Sequence, residues 1–190
     1  MSEAYLVEAC KKGDNAARAE LYRAYSPRLM AVCRRYASER EQAEDWLHDA
    51  FLNIFGGLNR FRWQGEGSLG VWMERVARNV AIDSLRKRQT LAFVPIDETE
   101  TGLTDVPEPT ADDIDRISDD DLFRLIGELP EGYRVVFNLY CIDGCSHKEI
   151  ARLLGIKERT SASQLARAKA LLAARIRRLW LNEELGNYCS

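Results

Sequence analysis

Cationic and amide side chains recur at helical spacing in the segment from residue 75 to residue 86. Five positions fall on one helix face, at successive steps of three, one, three and four residues: Arg75, Arg78, Asn79, Ile82 and Arg86. Guanidinium groups bind phosphate oxygens, and a side-chain amide can hydrogen-bond the edge of a base. The pattern predicts a nucleic-acid-binding face, and the alternative is a charged face that is only solvated.

The segment that precedes this stripe contains the groups needed to hold an unpaired base. Residues 59–67 are rich in aromatic residues and glycine, which predicts a loop, and its candidate base-binding residues are Phe61, Arg62, Trp63, Gln64, Gly65 and Glu66. Aromatic rings stack on bases, and glycine lets the backbone approach them. Loop and stripe together predict binding of single-stranded or opened DNA. Phe61 and Trp72 could equally be core residues, and for Trp72 the core is the favoured interpretation.

A second candidate DNA-binding feature lies in residues 150–165. Their spacing is that of a helix-turn-helix, in which a small residue lets two helices cross, a glycine permits the turn and apolar residues seal the angle: Ile150, Ala151, Leu154, Gly155, Ile156 and Leu165. The second helix would present its N-terminal residues to a DNA major groove. We expect these residues of it to be exposed: Arg159, Thr160, Ser161, Ala162, Ser163, Ala166, Arg167 and Lys169. A plain helical hairpin is the alternative.

An acidic stripe is predicted on the helix around residue 48. Its polar members are Glu44, Asp45, His48, Asp49 and Asn53, and its large apolar neighbours are Trp46, Leu47, Phe51, Leu52 and Phe55. Such a stripe can dock a basic partner helix or be merely solvated, and the pattern does not decide between these interpretations. Glu44 and His48 stand four residues apart and could contact a metal ion, but no second cluster of ligands accompanies them.

Neither the cysteines nor the known catalytic motifs indicate metal, disulfide or enzymatic chemistry. The five cysteines are an odd and scattered set, typical of reduced thiols: Cys10, Cys33, Cys141, Cys145 and Cys189. The C-x3-C-x-H spacing that ends at His147 lacks a fourth zinc ligand nearby. There is no nucleophile elbow, phosphate-binding glycine loop or H-E-x-x-H motif. We therefore predict a protein without metal or cofactor that is not an enzyme.

The charge distribution divides the chain into two basic blocks separated by an acidic one. Residues 1–90 carry 15 basic and 12 acidic side chains, residues 91–121 carry 1 and 11, and residues 122–190 carry 11 and 7. Three of the five prolines lie in residues 91–117, where no helical period is sustained, and this predicts an acidic flexible linker. The two basic blocks point to a polyanionic partner.

Apolar residues recur at three- and four-residue spacing in both blocks, so both are predicted to be helical. In the first block we expect helices over residues 3–12, 15–25, 27–37, 41–55 and 68–88, with a break at Ser26-Pro27 and with Ser68 as an N-cap. In the second we expect four helices, the first capped by Ser118 and the third opened by a capping box of Ser146 and Glu149. The predicted fold class is all-α, with two small helical domains (1–90 and 118–185), the linker 91–117 and a tail 186–190.

Three motifs in combination resemble bacterial RNA polymerase sigma factors of the extracytoplasmic-function group, within the sigma-70 family. The sequence AEDWLHDAF at residues 43–51 resembles the polymerase-docking helix of that family, and WMERVARNVAID at residues 72–83 resembles its −10 helix. The segment from ELP at residues 128–130 to GCSHKEIA at residues 144–151 resembles the entry to its −35 helix-turn-helix. The resemblance covers residues 3–89 and 118–180.

The resemblance implies a role for each block: residues 1–90 would be sigma region 2 and residues 118–185 sigma region 4. Contact with the clamp coiled coil of the largest polymerase subunit is implied for Glu44, Asp45, His48, Asp49, Phe51 and Leu52. Recognition and opening of the −10 element, with capture of a flipped base, is implied for Phe61, Arg62, Gly65, Glu66, Trp72, Arg75, Arg78, Asn79, Arg86 and Lys87. Recognition of the −35 element is implied for Thr160, Ser161, Ala162, Ser163, Ala166, Arg167 and Lys169.

The resemblance also implies partners, and the chain departs from the family pattern at a few positions. The implied partners are core RNA polymerase, including the flap of its second-largest subunit, promoter DNA and an anti-sigma factor. Arg159 stands where the family usually has glycine, and Ala162 and Ala166 stand where larger polar or basic residues are frequent. These departures favour weak or shape-dependent recognition of the −35 element.

Two other function classes remain as alternatives at this level. A stand-alone helix-turn-helix regulator would account for residues 118–180 alone, and a protein that sequesters a partner would fit the two alanines of the recognition helix. No window approaches 18 consecutive apolar residues, and the first residues lack the pattern of a signal peptide. We therefore expect a cytoplasmic protein without membrane insertion.

Overall fold

The computed structural model describes residues 2–87 and 117–187, and all regular structure within those ranges is helical. Its eight α-helices are α1 (Glu3–Lys11), α2 (Asn15–Tyr36), α3 (Arg40–Gly57), α4 (Ser68–Lys87), α5 (Asp119–Gly127), α6 (Glu131–Phe137), α7 (His147–Leu154) and α8 (Glu158–Asn187). A short 3-10 turn (Leu58–Arg60) follows α3, and a π-helical turn (Asn138–Ile142) continues α6. The chain forms two compact units, Met1–Arg88 and Gln89–Ser190. The predicted all-α class is confirmed.

The first unit is a bundle in which α2, α3 and α4 each pack on the other two, while α1 packs on α2. Its core consists of fully buried side chains from all three long helices, including Leu21, Leu29, Ile54, Met73 and Leu85. Burying such side chains stabilises the unit by about 1.5–3 kcal/mol each relative to exposure. The bundle thereby fixes which faces of α3 and α4 remain exposed.

The predicted break at Ser26-Pro27 is wrong, because α2 runs through both residues. Proline removes one backbone donor and costs about 3 kcal/mol inside a helix. Here Pro27 lies on an exposed side of the helix, and the Ser26 hydroxyl donates to the carbonyl of Tyr22 at 2.5 Å. Leu21 precedes the proline and Leu29 follows it, and both are fully buried in the same core. Burial on both sides of the proline keeps the two segments in one helix.

The second unit is built around the first part of α8, against which α5, α6 and α7 all pack. Its core contains apolar residues from α5, α6 and α8 and one residue between them: Leu125, Ile126, Leu129, Tyr133, Ala168, Leu172 and Ile176. Arg134 and Arg175 donate to the carbonyls of Gly127 and Leu125 at 2.8 and 3.4 Å, so they satisfy acceptors at the end of α5. The predicted four-helix domain is present.

Several predicted helix ends are confirmed by their hydrogen bonds. Ser118 accepts from the backbone N–H of Asp121 at 3.1 Å, which caps α5. Ser146 and Glu149 form the predicted capping box at the start of α7. Ser68 does not cap α4 as predicted: it is the first residue of that helix, and its hydroxyl bonds backwards to Gln64 N–H and Gly65 carbonyl.

The predicted linker, residues 91–117, lies outside the described residues except for its last position. That residue, Ile117, packs against the core of the second unit. The predicted tail is described only as far as Asn187, where α8 ends. Among the described residues, none of the helices has the length and apolar character needed to cross a membrane.

Candidate functional site

One side of α3 carries the predicted acidic stripe on its exposed surface. Glu44, Asp45, His48 and Asp49 are all exposed, and Leu52 continues the same surface with 58% of its area accessible. Trp46 and Leu47 face the core, so the bundle holds this side of the helix outwards. Glu44 already forms an ion pair with Arg40 at 2.7 Å, whereas Asp45 and Asp49 make no ion pair within the described part of the chain. We call these five exposed residues the acidic face of α3.

Phe51 does not belong to the exposed surface, contrary to its place among the predicted polymerase contacts. Only 3% of its area is accessible, because the ring of Tyr22 from α2 covers it at a centroid distance of 4.4 Å. Tyr22 itself is 46% exposed and takes the surface position expected of Phe51. No sequence signal singled out Tyr22, since it lies on another helix.

Phe61 is also buried, which agrees with the core alternative for this residue. Its ring is 8% exposed and packs on the ring of Trp72 at a centroid distance of 4.9 Å. Trp72 is half-buried and lies close to Gly57, where an added Cβ would come within 3.3 Å of the indole. This ring contact anchors the first residue of the 61–67 loop to α4.

The rest of the 61–67 loop is largely exposed and is held by hydrogen bonds from Trp63 and Gly67. Arg62 and Glu66 are exposed, and the ring of Trp63 is 43% exposed. Gly67 has a φ of +85°, a backbone conformation that favours glycine. The backbone N–H of Gly67 and the indole N–H of Trp63 both donate to the carboxylate of Glu3 in α1, at 3.0 and 3.1 Å. Sequence analysis did not select Glu3, because nothing local distinguishes it from other acids.

The cationic side of α4 lies next to this loop along the chain. Arg75, Arg86 and Lys87 are exposed; Arg86 lies 3.7 Å from Asp83, and Arg75 makes no ion pair among the described residues. Ile82, predicted on the same face, is fully buried, so the exposed stripe is interrupted at that turn.

Arg78 and Asn79 occupy the middle of α4 and are only partly exposed. The side-chain oxygen of Asn79 is buried and, among the described residues, has no hydrogen-bond partner. A buried acceptor without a donor costs about 1–3 kcal/mol, and rotation of this partly exposed side chain brings its amide to the surface, where a ligand can donate to it. This makes Asn79 a candidate ligand-binding residue.

The helix-turn-helix predicted in the second unit is formed by α7 and α8. Gly155 ends α7 with a φ of +69° in the left-handed region, which glycine adopts without steric cost. The N–H of Ile156 donates to the carbonyl of Ala151 at 3.1 Å, and Ile150, Leu154 and Leu165 are buried at the crossing. The predicted interior of this motif is confirmed.

The exposed side of α8 differs from the prediction at one position. Ala162, Ala166 and Lys169 are exposed, and Thr160, Ser163 and Arg167 are partly exposed. Ser161 was predicted to be exposed but is fully buried, and its hydroxyl lies 2.9 Å from Nδ1 of His147. The imidazole of His147 also stacks on the ring of Tyr140, with 4.6 Å between the ring centroids. Ser161 therefore joins α7 to α8. Its side chain does not lie on the surface of α8 that is predicted to face DNA.

Two further polar contacts limit the reach of the α8 side chains. The Ser163 hydroxyl donates to the carbonyl of Thr160 at 3.0 Å, and a guanidinium nitrogen of Arg167 lies 3.4 Å from the hydroxyl of Tyr133. Both side chains can rotate from these positions toward a partner, at the cost of one weak hydrogen bond each.

The cysteine and histidine side chains of the described residues do not gather into a common site. Cys145 is buried, Cys141 is exposed on the π-helical turn, and His147 is bonded to Ser161. In residues 2–87 and 117–187, no three His, Cys, Asp or Glu side chains are grouped so that they could hold a metal ion.

Comparison with known proteins identifies the family. The sequence model described as Sigma-70 region 2 matches residues 21–90, and the one described as Sigma-70, region 4 matches residues 119–172. The ECF RNA polymerase sigma factor SigM of Mycobacterium tuberculosis is 30% identical over 90% of this chain and 83% of its own length. SigW of Bacillus subtilis, another ECF RNA polymerase sigma factor, is 28% identical over 91% of this chain and 96% of its length.

A solved structure is similar in fold. The sigma factor RpoE of Bartonella quintana, solved in complex with the anti-sigma factor NepR, superposes with a TM-score of 0.50 at 19% identity, over 84% of this chain and 96% of that one. The two helical units therefore have the fold of sigma regions 2 and 4. This chain belongs to the extracytoplasmic-function group of sigma-70 RNA polymerase sigma factors.

Proposed function

We propose that the two units divide the work of a promoter-specificity subunit, residues 1–90 serving as region 2, residues 118–185 as region 4 and residues 91–117 as the linker. The observation that carries this proposal is the set of three separate exposed surfaces. These are the acidic face of α3, the 61–67 loop with the cations of α4, and the exposed N-terminal part of α8. Each surface suits a different partner, and a stand-alone regulator would use only the third.

The acidic face of α3 is the proposed contact for the clamp coiled coil of the polymerase's largest subunit. Asp45 and Asp49 offer negative charge that is not neutralised within the described residues, and Leu52 supplies an exposed apolar centre. In an interface of this kind, the buried apolar residue at the centre provides most of the affinity, and the charged residues around it orient the partner. Tyr22 enlarges the apolar part, and Phe51 acts from beneath by holding Tyr22 in place.

The 61–67 loop and α4 form the proposed −10 site. Arg62, Arg75 and Lys87 are exposed cations for the phosphates of the strand. Asn79 is partly exposed beside these cations, and its side-chain amide is of the type that hydrogen-bonds a base edge. Flipping a base costs a few kcal/mol, which stacking and phosphate contacts can offset without nucleotide hydrolysis. In this proposal Phe61 and Trp72 support the loop, and Trp63, Gly65 and Glu66 line the base pocket.

The exposed part of α8 is the proposed −35 site. Thr160 and Ser163 are placed near its N-terminus, where hydroxyls and backbone N–H groups can meet phosphates, and Arg167 and Lys169 supply charge. Ala162 and Ala166 are exposed but cannot hydrogen-bond a base; they can contact thymine methyl groups. The proposed −35 recognition therefore relies on apolar contacts and phosphates, with Ser161 acting only on the shape of the motif.

Three further parts of the proposal concern the cellular context. Core RNA polymerase, with its clamp coiled coil and flap, and promoter DNA are the proposed partners, and they place the protein in the cytoplasm. An anti-sigma factor is a proposed regulator, supported by the solved RpoE, which is in complex with NepR. We propose no catalytic reaction and no cofactor for this chain.

The experiment that tests this division of work compares DNA binding by the full chain with and without core polymerase from the same organism. Labelled fragments of its own genome are the probes. We expect specific fragments to be retained only when polymerase is present. Specific retention by the free protein at equal strength would instead support a stand-alone regulator.

A further inference from the structure

Glu3 is a buried acid at the very start of α1. It is 8% exposed, and no other carboxylate within the described residues is buried. A carboxylate is rarely buried unless its charge is compensated by hydrogen bonds. Glu3 also precedes the segment that matches the family's region 2, which begins at residue 21. Its burial therefore calls for an explanation particular to the N-terminal helix.

Three donors converge on this carboxylate, one from α2 and two from the 61–67 loop. Oε1 accepts from the hydroxyl of Tyr25 in α2 at 3.0 Å. Oε2 accepts from the indole N–H of Trp63 at 3.1 Å and from the backbone N–H of Gly67 at 3.0 Å. The last two donors lie at the middle and the end of the 61–67 loop, so one side chain of α1 fixes both.

Tyr25 keeps Glu3 in this position from the other side. Burial and the neighbouring carboxylate raise the pKa of Tyr25 to about 12, so its hydroxyl remains a donor throughout the physiological range. A buried carboxylate that accepts several bonds is held more rigidly than one that accepts a single bond. The result is a carboxylate that is fixed before the loop meets any ligand.

The consequence for the loop is a fixed orientation of Trp63. The indole is bonded to Glu3 at its nitrogen, while 43% of the side chain is exposed. An aromatic ring that is exposed on one side and anchored at its polar end loses little conformational entropy when a base stacks on it. Without Glu3, the indole would be free to rotate and Gly67 would lose its acceptor.

We infer that Glu3 is a positioning residue for base binding: its carboxylate holds Trp63 and Gly67 so that the 61–67 loop is preformed to take an unpaired base. This inference rests on the proposed −10 site. It assigns to α1 an indirect part in DNA opening, through the loop that its Glu3 holds.

The test uses holoenzyme assembled from the full chain and core polymerase. The probes are single-stranded non-template oligonucleotides that span the −10 element of a mapped promoter, either intact or with one abasic site. The variants are Glu3→Ala and Glu3→Gln, with Glu8→Ala as the control, because Glu8 lies exposed on the same helix and pairs only with Lys11. Polymerase affinity is measured in parallel for every variant.

We expect wild type to bind the intact strand about tenfold more tightly than the strand that is abasic at one position, as base stacking predicts. Glu3→Ala should lose this discrimination while its polymerase affinity stays within about twofold, a change too small to be significant for docking. Glu3→Gln should keep most of the discrimination, since an amide oxygen can accept from both loop donors while its NH2 group donates to Tyr25. Glu8→Ala should behave as wild type.

The outcomes separate this inference from the proposed −10 site. If wild type discriminates and Glu3→Ala discriminates equally, Glu3 has no positioning role and the −10 site stands. If Glu3→Ala loses polymerase affinity together with discrimination, Glu3 is only a structural residue and the inference is wrong. If the wild-type holoenzyme binds the intact strand and every abasic strand equally tightly, the proposed base binding and the role of Glu3 are both wrong. Hydrogen exchange of the Trp63 indole, faster in Glu3→Ala than in wild type, checks the loop contact independently.

Discussion

The Nδ1 atom of His147 lies 2.9 Å from the hydroxyl oxygen of Ser161, across the joint between α7 and α8. Ser161 is fully buried there, and the imidazole also stacks on Tyr140. The bond connects the first residue of α7 to the first turn of α8. It therefore helps to fix the angle between α7 and α8, and with it the orientation of the exposed α8 residues that form the proposed −35 site.

We predict that Ser161→Ala lowers the free energy of unfolding of the second unit by about 1 kcal/mol, since one buried hydrogen bond is lost and the His147 nitrogen remains unsatisfied. The slope of DNA affinity against salt should not change, because no phosphate contact is removed. Lys169→Ala should instead lower that slope, because it removes a cation proposed to contact phosphate. Hydrogen exchange of the α7 and α8 amides and salt titrations of promoter binding measure the two effects. A reduced salt slope in Ser161→Ala would instead place Ser161 at the DNA.

The acidic face of α3 predicts an order of effects on polymerase affinity. Asp45→Lys and Asp49→Lys should each weaken the affinity about tenfold, whereas Glu44→Lys should weaken it less, because Glu44 is partly neutralised by Arg40. A paired Glu44→Lys/Asp45→Lys reversal should also weaken association. Glu8→Lys, exposed on α1, is the matched charge control. Equal affinities for wild type and the reversed variants would remove this face from the docking site.

Asn79→Ala should impair promoter opening about tenfold or more while leaving polymerase affinity unchanged, because the substitution removes the side-chain amide from the proposed base site. Glu8→Ala, an exposed change on α1, is the control. Opening is measured by permanganate reactivity of −10 thymines. A template melted in advance over the −10 element should restore most of the lost transcription, since strand separation is then already complete. Parallel losses of opening and of polymerase binding would contradict this role.

The stability of the first unit should fall at alkaline pH. Burial raises the pKa of the Cys33 thiol from 9.0 to about 11, and burial with Glu3 raises that of Tyr25 from 10.0 to about 12. Both groups lose a proton more readily in the unfolded chain, so deprotonation favours unfolding. The contribution of Cys33 to stability is complete below pH 9 and is lost between pH 9 and pH 11. That of Tyr25 is complete below pH 10 and is lost between pH 10 and pH 12. For fully buried Cys33 the loss is on the order of 2 kcal/mol.

Unfolding by urea at pH values from 7 to 12 measures this loss. Cys33→Ala should start from a lower stability, because it leaves a small cavity, but its curve should be flatter between pH 9 and pH 11. Tyr25→Phe should flatten the curve above pH 10. If Cys33→Ala runs parallel to wild type over that window, the thiol does not govern the change.

Sequence predicted best the features that depend on local geometry. The capping box of Ser146 and Glu149, the cap at Ser118 and the turn at Gly155 follow from residue types within three or four positions, and all are present. The all-helical class follows from apolar spacing for the same reason.

Predictions failed where packing between distant segments decides the outcome. A local rule predicted a break at Ser26-Pro27. The helix is nevertheless continuous, because Leu21 before the proline and Leu29 after it are both buried in the same core. Helical spacing assigned Ser161 and Ile82 to exposed faces, yet neighbouring helices cover both. The contacts of Glu3 join residue 3 to residues 25, 63 and 67, and no local pattern encodes such distances.

As a sigma factor, this chain directs core polymerase to promoters. Run-off transcription with purified core polymerase on fragments of the source genome, with and without the protein, measures this activity. We predict discrete start sites that depend on the protein and share two spaced upstream elements. Identical transcripts with and without the protein, under conditions in which it binds the polymerase, would show that the protein does not act in this way.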